Sequence, residues 1–169
     1  MQKFYDDWWE EASKEFKYSY IDIYPNITNT ITAHDVLVNS ITAWDQSVIR
    51  KGIPYELGKF NVDFKKSGEY KITLRRWPKE SNLNLRDSIN DYIPAKKYWD
   101  EKSIGKSMNI ASAFIKIGDK EYKVDLSENF KSASINIDIN SGKTSLEPGF
   151  ILDNGQTSIA FYTDIDFLF

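Results

Sequence analysis

The stretch that decides the fold is Phe60-Asn61-Val62-Asp63-Phe64-Lys65-Lys66-Ser67-Gly68-Glu69-Tyr70-Lys71-Ile72-Thr73-Leu74-Arg75-Arg76-Trp77-Pro78. Phe60, Val62 and Phe64 alternate with Asn61 and Asp63. After the polar turn Lys65 to Gly68, Tyr70, Ile72 and Leu74 alternate with Lys71 and Thr73. Successive side chains of a strand point to opposite faces, so a period of two predicts half-buried strands. Two such runs flanking a Gly-containing turn predict a β-hairpin. Pro78 has no N–H to give a ladder and stops the second strand.

Working outward, the same period recurs. Tyr18, Tyr20, Ile21 and Ile23 precede the breaker Pro25-Asn26, and Ile27, Ile31 and Ala33 suggest another short strand. Ala111, Ala113, Ile115 and Ile117 lead to a turn at Gly118-Asp119, followed by Tyr122, Val124 and Leu126. Ile135, Ile137 and Ile139 precede the turn Asn140 to Lys143. Thr144 to Leu146 and Phe150 to Leu152 flank Pro148-Gly149, and Ile159, Phe161, Ile165, Phe167 and Phe169 follow the turn Asp153-Asn154-Gly155. About nine or ten short strands with turn signals every 8–12 residues predict an all-β fold. Polar residues at alternate positions predict antiparallel sheets with one wet face, a jelly-roll-like β-sandwich.

Two regions depart from that period. Phe4, Trp8, Ala12 and Phe16 fall four apart, with Tyr5 and Trp9 beside them, which predicts a short amphipathic helix over 4–17. Asp6 and Asp7 fall in its expected first turn and Lys14 and Lys17 near its end, as the helix dipole favours. One such helix cannot bury Trp8 and Trp9 alone, so residues 1–17 read as a docking segment and Trp8 and Trp9 as candidate interdomain contacts. Residues 18–169 read as the sandwich. Within it, residues 79–109 are polar and irregular, a long excursion with scattered anchors Leu83, Leu85, Ile89, Tyr92, Tyr98 and Trp99.

Composition narrows the function. The chain has 169 residues, 41% of them hydrophobic and 15% aromatic, which suits one domain with a core of its own and argues against disorder. Its 22 basic and 25 acidic residues give a net charge of -3, without the cationic surplus that nucleic acid requires. Cysteine is absent, so thiol catalysis and disulfides are excluded. No apolar run of about 18 residues predicts a membrane span. The first residues lack a secretion signal, so the expectation is either a cytoplasmic protein or the interior of a longer exported one.

The search for a reactive centre yields little. His34, the single histidine, neighbours Asp35 and supplies two members of a triad, but no activated serine motif accompanies them. The simpler reading makes His34 a structural hydrogen-bonding residue near a strand end. One histidine cannot build a zinc site, and Asp22, Asp35, Asp45 and Asp63 leave a structural calcium open as the sole cofactor. Alternation turns Arg76 inward, where it needs a carboxylate partner such as Asp35 or Asp45. His34, Asp35, Asp45 and Arg76 thus form an expected structural polar cluster. Arg75 and Trp77 face outward together, the look of a sugar-binding site, with Trp44 and Gln46 as further candidate ligand-binding residues. The competing and favoured reading has Trp77 cover the sandwich edge or pack on a partner.

Several segments are similar to the accessory domain that follows the catalytic domain in Bacteroidetes-type arylsulfatases. They are Asp6-Asp7-Trp8-Trp9-Glu10-Glu11, Ile31-Thr32-Ala33-His34-Asp35, Ala43-Trp44-Asp45-Gln46, Ile49-Arg50-Lys51-Gly52, Gly68 to Pro78, Ala113 to Gly118 and Ser141-Gly142-Lys143-Thr144. Their order and approximate spacing span nearly the whole chain, and the run ending Leu74-Arg75-Arg76-Trp77-Pro78 is the most specific. The sequence departs from the family at Val36, where an aromatic is usual, in Ala43-Trp44-Asp45-Gln46 for Pro-Trp-Asn-Gln, and at Glu147-Pro148-Gly149-Phe150 for a Trp-Phe pair. The resemblance implies a parent hydrolysing sulfate esters of glycans in the periplasm or at the cell surface. It also implies a partner, the sulfatase catalytic domain of the same parent chain. The Cys/Ser-x-Pro-x-Arg motif that such sulfatases mature to formylglycine is missing, so the expectation is a non-catalytic domain, with a carbohydrate-binding module as the alternative.

Overall fold

Strand β8 (Gly142–Leu152) is the spine of the larger of two sheets. The computed structural model describes residues 1–36, 46–90, 104–126 and 129–169. Along the chain come helix α1 (Gln2–Ala12), β1 (Ile21–Ile23), β2 (Asn29–Thr32), α2 (Gln46–Arg50), β3 (Phe60–Phe64) and β4 (Gly68–Arg75). Then follow β5 (Ile110–Ile117), β6 (Lys120–Asp125), β7 (Ala133–Ile139), β8, β9 (Thr157–Ile159) and β10 (Tyr162–Phe167). One sheet has the order β1-β3-β8-β5-β6, with β9 also paired to β8; the other has the order β2-β10-β4-β7. The chain is the all-β sandwich that the alternation predicts, with a short N-terminal helix. All pairs are antiparallel except β1 with β3, which run parallel.

The core lies between the sheets. Phe60, Val62 and Phe64 of β3 face Tyr70, Ile72 and Leu74 of β4, and all six are essentially inaccessible. Burying such side chains stabilises the fold by about 1.5–3 kcal/mol each before entropy is counted. The expected hairpin over 60–74 is corrected here. Strands β3 and β4 belong to different sheets, and the turn between them is a corner that carries the chain across the sandwich. Gly68, at φ 151, permits the corner. The Phe64 and Tyr70 rings meet edge to face at 5.0 Å across the interior. Alternation shows which side of each strand is apolar, but it does not show which strand is hydrogen-bonded to it. The chain passes repeatedly between the sheets; β5 and β6 form a hairpin at Gly118-Asp119, and β8 and β9 form another.

Three smaller expectations are also revised. The helix ends at Ala12 and tightens into a 3-10 turn over Ser13–Tyr18. Serine competes for backbone hydrogen bonds and aromatics lose rotamer freedom in a helix, which shortens the 4–17 helix. Because α1 begins at Gln2, Asp6 and Asp7 fall beyond its first turn. Pro148-Gly149 does not split β8. Pro148 lies between the stretch paired to β3, ending at Leu146, and the stretch paired to β9, starting at Gly149. The excursion after β4 is anchored by buried Leu85 and Met108, with Leu83 and Ile89 partly buried. Tyr92, Tyr98 and Trp99 lie outside the described residues.

Candidate functional site

Strand β4 puts Tyr70, Ile72 and Leu74 into the core, so Lys71, Thr73 and Arg75 stand on the opposite, outer face. Neighbouring strands extend that face. Asp164 and Asp166 of β10 lie opposite Thr73 and Lys71, and Ser134 of β7 lies opposite Thr73 on the other side. The chain leaving β4 turns up beside this floor as Trp77, Pro78, Lys79, Asn82 and Leu83, and Lys131 and Ser132 lead into β7 along its margin. Together they enclose an open groove of about 450 Å³.

The groove is polar and internally braced. Arg75 Nη2 donates to Asp164 Oδ2 at 2.6 Å, with both side chains only 12% exposed. The other Asp164 oxygen accepts from the Thr30 hydroxyl at 2.9 Å, and Asp166 accepts from the Thr28 hydroxyl at 2.5 Å. Thr73 and Ser134 hydroxyls share a hydrogen bond at 3.0 Å. Asn82, whose backbone adopts φ 55, accepts at its side-chain oxygen from Lys131 Nζ at 2.7 Å and closes one wall. Four cations, Lys71, Arg75, Lys79 and Lys131, line the groove against two carboxylates, Asp164 and Asp166. This local positive balance sits on a chain whose net charge is -3.

The expected ligand-binding residues separate. Arg75 forms part of the groove floor. Trp77 lines the groove, yet it is only 3% exposed and the Arg76 guanidinium lies 4.4 Å above its ring. The outward ring that alternation predicts is therefore corrected. Strand β4 ends at Arg75, and beyond it the strand rule no longer sets side-chain direction. Trp77 is a packed wall and offers no stacking platform. Trp44 lies outside the described residues, and Gln46 is described only as the backbone start of α2.

Among the described residues, the expected polar cluster does not assemble. Arg76 does turn inward and is fully buried, but its partners are carbonyl oxygens. Its guanidinium donates to Ile49 at 2.9 Å, Lys106 at 2.7 Å, Asp87 at 2.9 Å and Leu85 at 3.5 Å. Irregular chain around α2 and the excursion leaves carbonyls without ladder partners, and a five-donor fork satisfies several at once. Burial pushes the Arg76 pKa down to about 10, opposed by the nearby Asp87 carboxylate. Asp35 is engaged within its own turn, accepting from the Thr32 N–H and hydroxyl at 2.9 Å each. His34 is exposed on that same turn, with its N–H bonded to Thr32 Oγ1, and is not among the groove residues. Asp45 lies outside the described residues.

Asp22 and Asp63 converge on Lys65, each 2.7 Å from its Nζ. The Lys65 hydrogen bond holds the Asp22 carboxyl below its usual pKa, and the two carboxylates raise that of Lys65. Among the described residues, no group of three or more acidic or histidine side chains gathers as a metal site. No described helix is long and apolar enough to cross a membrane.

Away from the groove, α1 carries no buried residue. Phe4 is 77% exposed, Tyr5 55%, Trp8 52% and Trp9 45%. The Tyr5, Trp8 and Trp9 rings lie 5.8–6.4 Å apart and form one aromatic cluster. Lysines 71 and 131, Thr73, Ser134 and both groove aspartates escaped the sequence reading. The polar half of the β4 alternation pointed to Lys71 and Thr73, but the pairing that gathers the others is not local.

Comparison with known proteins returns no matching protein family and no matching curated protein.

Proposed function

We propose that this chain is a non-catalytic accessory domain that docks on a neighbouring catalytic domain through α1. The observation that carries the reading is the aromatic cluster of α1. Four large side chains are about half or more exposed on a helix none of whose residues is buried, and such patches mark interaction surfaces. The sequence segments similar to the arylsulfatase accessory domain suggest the partner: a sulfatase catalytic domain acting on sulfated glycans, in an exported parent protein of the periplasm or cell surface. The chain lacks cysteine and any Ser-x-Pro-x-Arg sequence, so it supplies no formylglycine nucleophile.

The test is to mix the chain with the sulfatase catalytic domain encoded in the same reading frame or beside it. Size-exclusion chromatography should give a stoichiometric complex, and the double substitution Trp8→Ala, Trp9→Ala should weaken it at least about tenfold, since buried tryptophans dominate interface energies. The sandwich should unfold unchanged. Failure to associate, or association indifferent to both tryptophans, overturns the reading.

A second reading, a carbohydrate-binding module, is favoured by the polar groove over β10, β4 and β7. Glycan binding would then reside at Arg75 and its neighbours and not at an exposed Trp77 ring.

A further inference from the structure

We propose that the groove on the outer face of the four-stranded sheet binds an acidic carbohydrate, a glycan chain bearing sulfate or carboxylate groups. The proposal rests on the carbohydrate-binding reading and adds the ligand class. Neutral sugars are usually gripped by an open aromatic face packed on their C–H surface. This groove has none, because Trp77 is 3% exposed and covered by Arg76. It has charge in that place. Lys71, Lys79 and Lys131 extend from floor and walls, while Arg75 is held by Asp164.

The polar inventory also fits a sugar better than a polyacidic peptide. Thr73 and Ser134 hydroxyls both donate and accept, and Asp166 accepts only. A sugar's hydroxyl donors satisfy those acceptors alongside its anionic groups, whereas the carboxylate side chains of an acidic peptide offer no donor to Asp166. Lys71 and Arg75 are four residues apart on one strand, about 13 Å, which gives the floor the length of a short oligosaccharide. The net charge of -3 means that the cationic balance is local and that the chain is no general polyanion trap.

The experiment measures binding of the intact chain to four probes by calorimetry: heparin oligosaccharide, oligogalacturonate, neutral xylo-oligosaccharide and polyglutamate. Binding is expected to one or both acidic glycans, weakening as salt rises, with the sulfate and carboxylate arms identifying the anionic group. The pair Lys71→Ala, Lys131→Ala should lower affinity at least about tenfold, equivalent to about 1.4 kcal/mol, with an unchanged urea midpoint. Lys120→Ala, Lys123→Ala on β6 is the matched control and should change nothing. Stronger or equal binding of the neutral glycan overturns the acidic assignment while leaving the carbohydrate-module reading intact. Equal binding of polyglutamate, or full affinity in the Lys71, Lys131 variant, also overturns the assignment. Failure to bind any glycan overturns both.

Discussion

The two sheets treat their outer faces in opposite ways. On the six-stranded sheet, Phe114 of β5 lies over Gly149 of β8, its register partner, with Leu57 beside them. The chain near Tyr55 is strapped to β9, since the Ile159 N–H donates to the Tyr55 carbonyl at 3.2 Å and the Tyr55 N–H to Ser158 Oγ at 3.0 Å. That face gains a small second layer of packing. On the four-stranded sheet, β4, β10 and β7 present charges and hydroxyls, and among the described residues no strap crosses the groove they line. Covered sheet spends its outward positions on packing. Open sheet leaves them free to meet something else, which is why the candidate site lies on the latter.

The largest expected effect concerns what holds the groove wall in place. Residues 77–83 leave the sheet at Arg76, whose guanidinium binds carbonyls from α2 and both ends of the excursion. Arg76→Ala orphans those oxygens and should cost about 3–5 kcal/mol in urea unfolding. Lysine, a point charge without the fork, should recover little of it. On the covered face, a Cβ at Gly149 would stand 2.5 Å from the Phe114 ring and 2.9 Å from Leu57. Gly149→Ala should therefore destabilise by about 1–3 kcal/mol, read as a lower thermal midpoint. On the open face, Arg75→Ala removes one partner of a nearly buried pair. It should cost about 1–2 kcal/mol, between the values for surface and buried ion pairs. A Gly149→Ala variant as stable as the parent would erase the distinction between the faces.

The smallest effect is a pH dependence at the rim. Lys65 lowers the Asp22 pKa in the folded chain. The folded carboxyl thus binds its proton less readily than the unfolded one, whose pKa is about 3.9. The contribution is complete above that value and disappears as pH falls through the lower folded pKa. Lys65→Ala should lower stability slightly at neutral pH, leave it unchanged well below the folded pKa, and so flatten the acid limb of the stability profile below about pH 4. An unaltered acid limb would remove Lys65 as its cause.

What could be read in advance was the facing of side chains. From Phe60 to Arg75, each inward or outward assignment matches the burial. Partners were not legible, because alternation is a local property and pairing is not. Arg75 meets Asp164 across 89 residues of sequence, and nothing near either residue announces the other. Arg76 was rightly turned inward, but its carbonyl partners depend on how irregular chain crosses the sandwich, where side-chain chemistry gives no signal. Alternation turns Trp77 outward, but β4 ends two residues before it; the favoured reading, a ring covering the sandwich edge, agrees with its 3% exposure. The amphipathic stride of α1 is plain in the sequence, and its aromatic residues remain exposed in the fold.

One further consequence follows from the margins of the sheets. Unpaired strand rims are templates for polymerisation. Here β1 spans 3 residues and β2 spans 4, too short to recruit a neighbour. Strand β6 alternates Lys120, Glu121, Lys123 and Asp125 along an exposed rim, so a second copy approaching in register would meet its own charges. These three margins are thereby guarded against fibrillar stacking, whereas β7, at the other end of the four-stranded sheet from β2, spans 7 residues with Asp138 as its one charge.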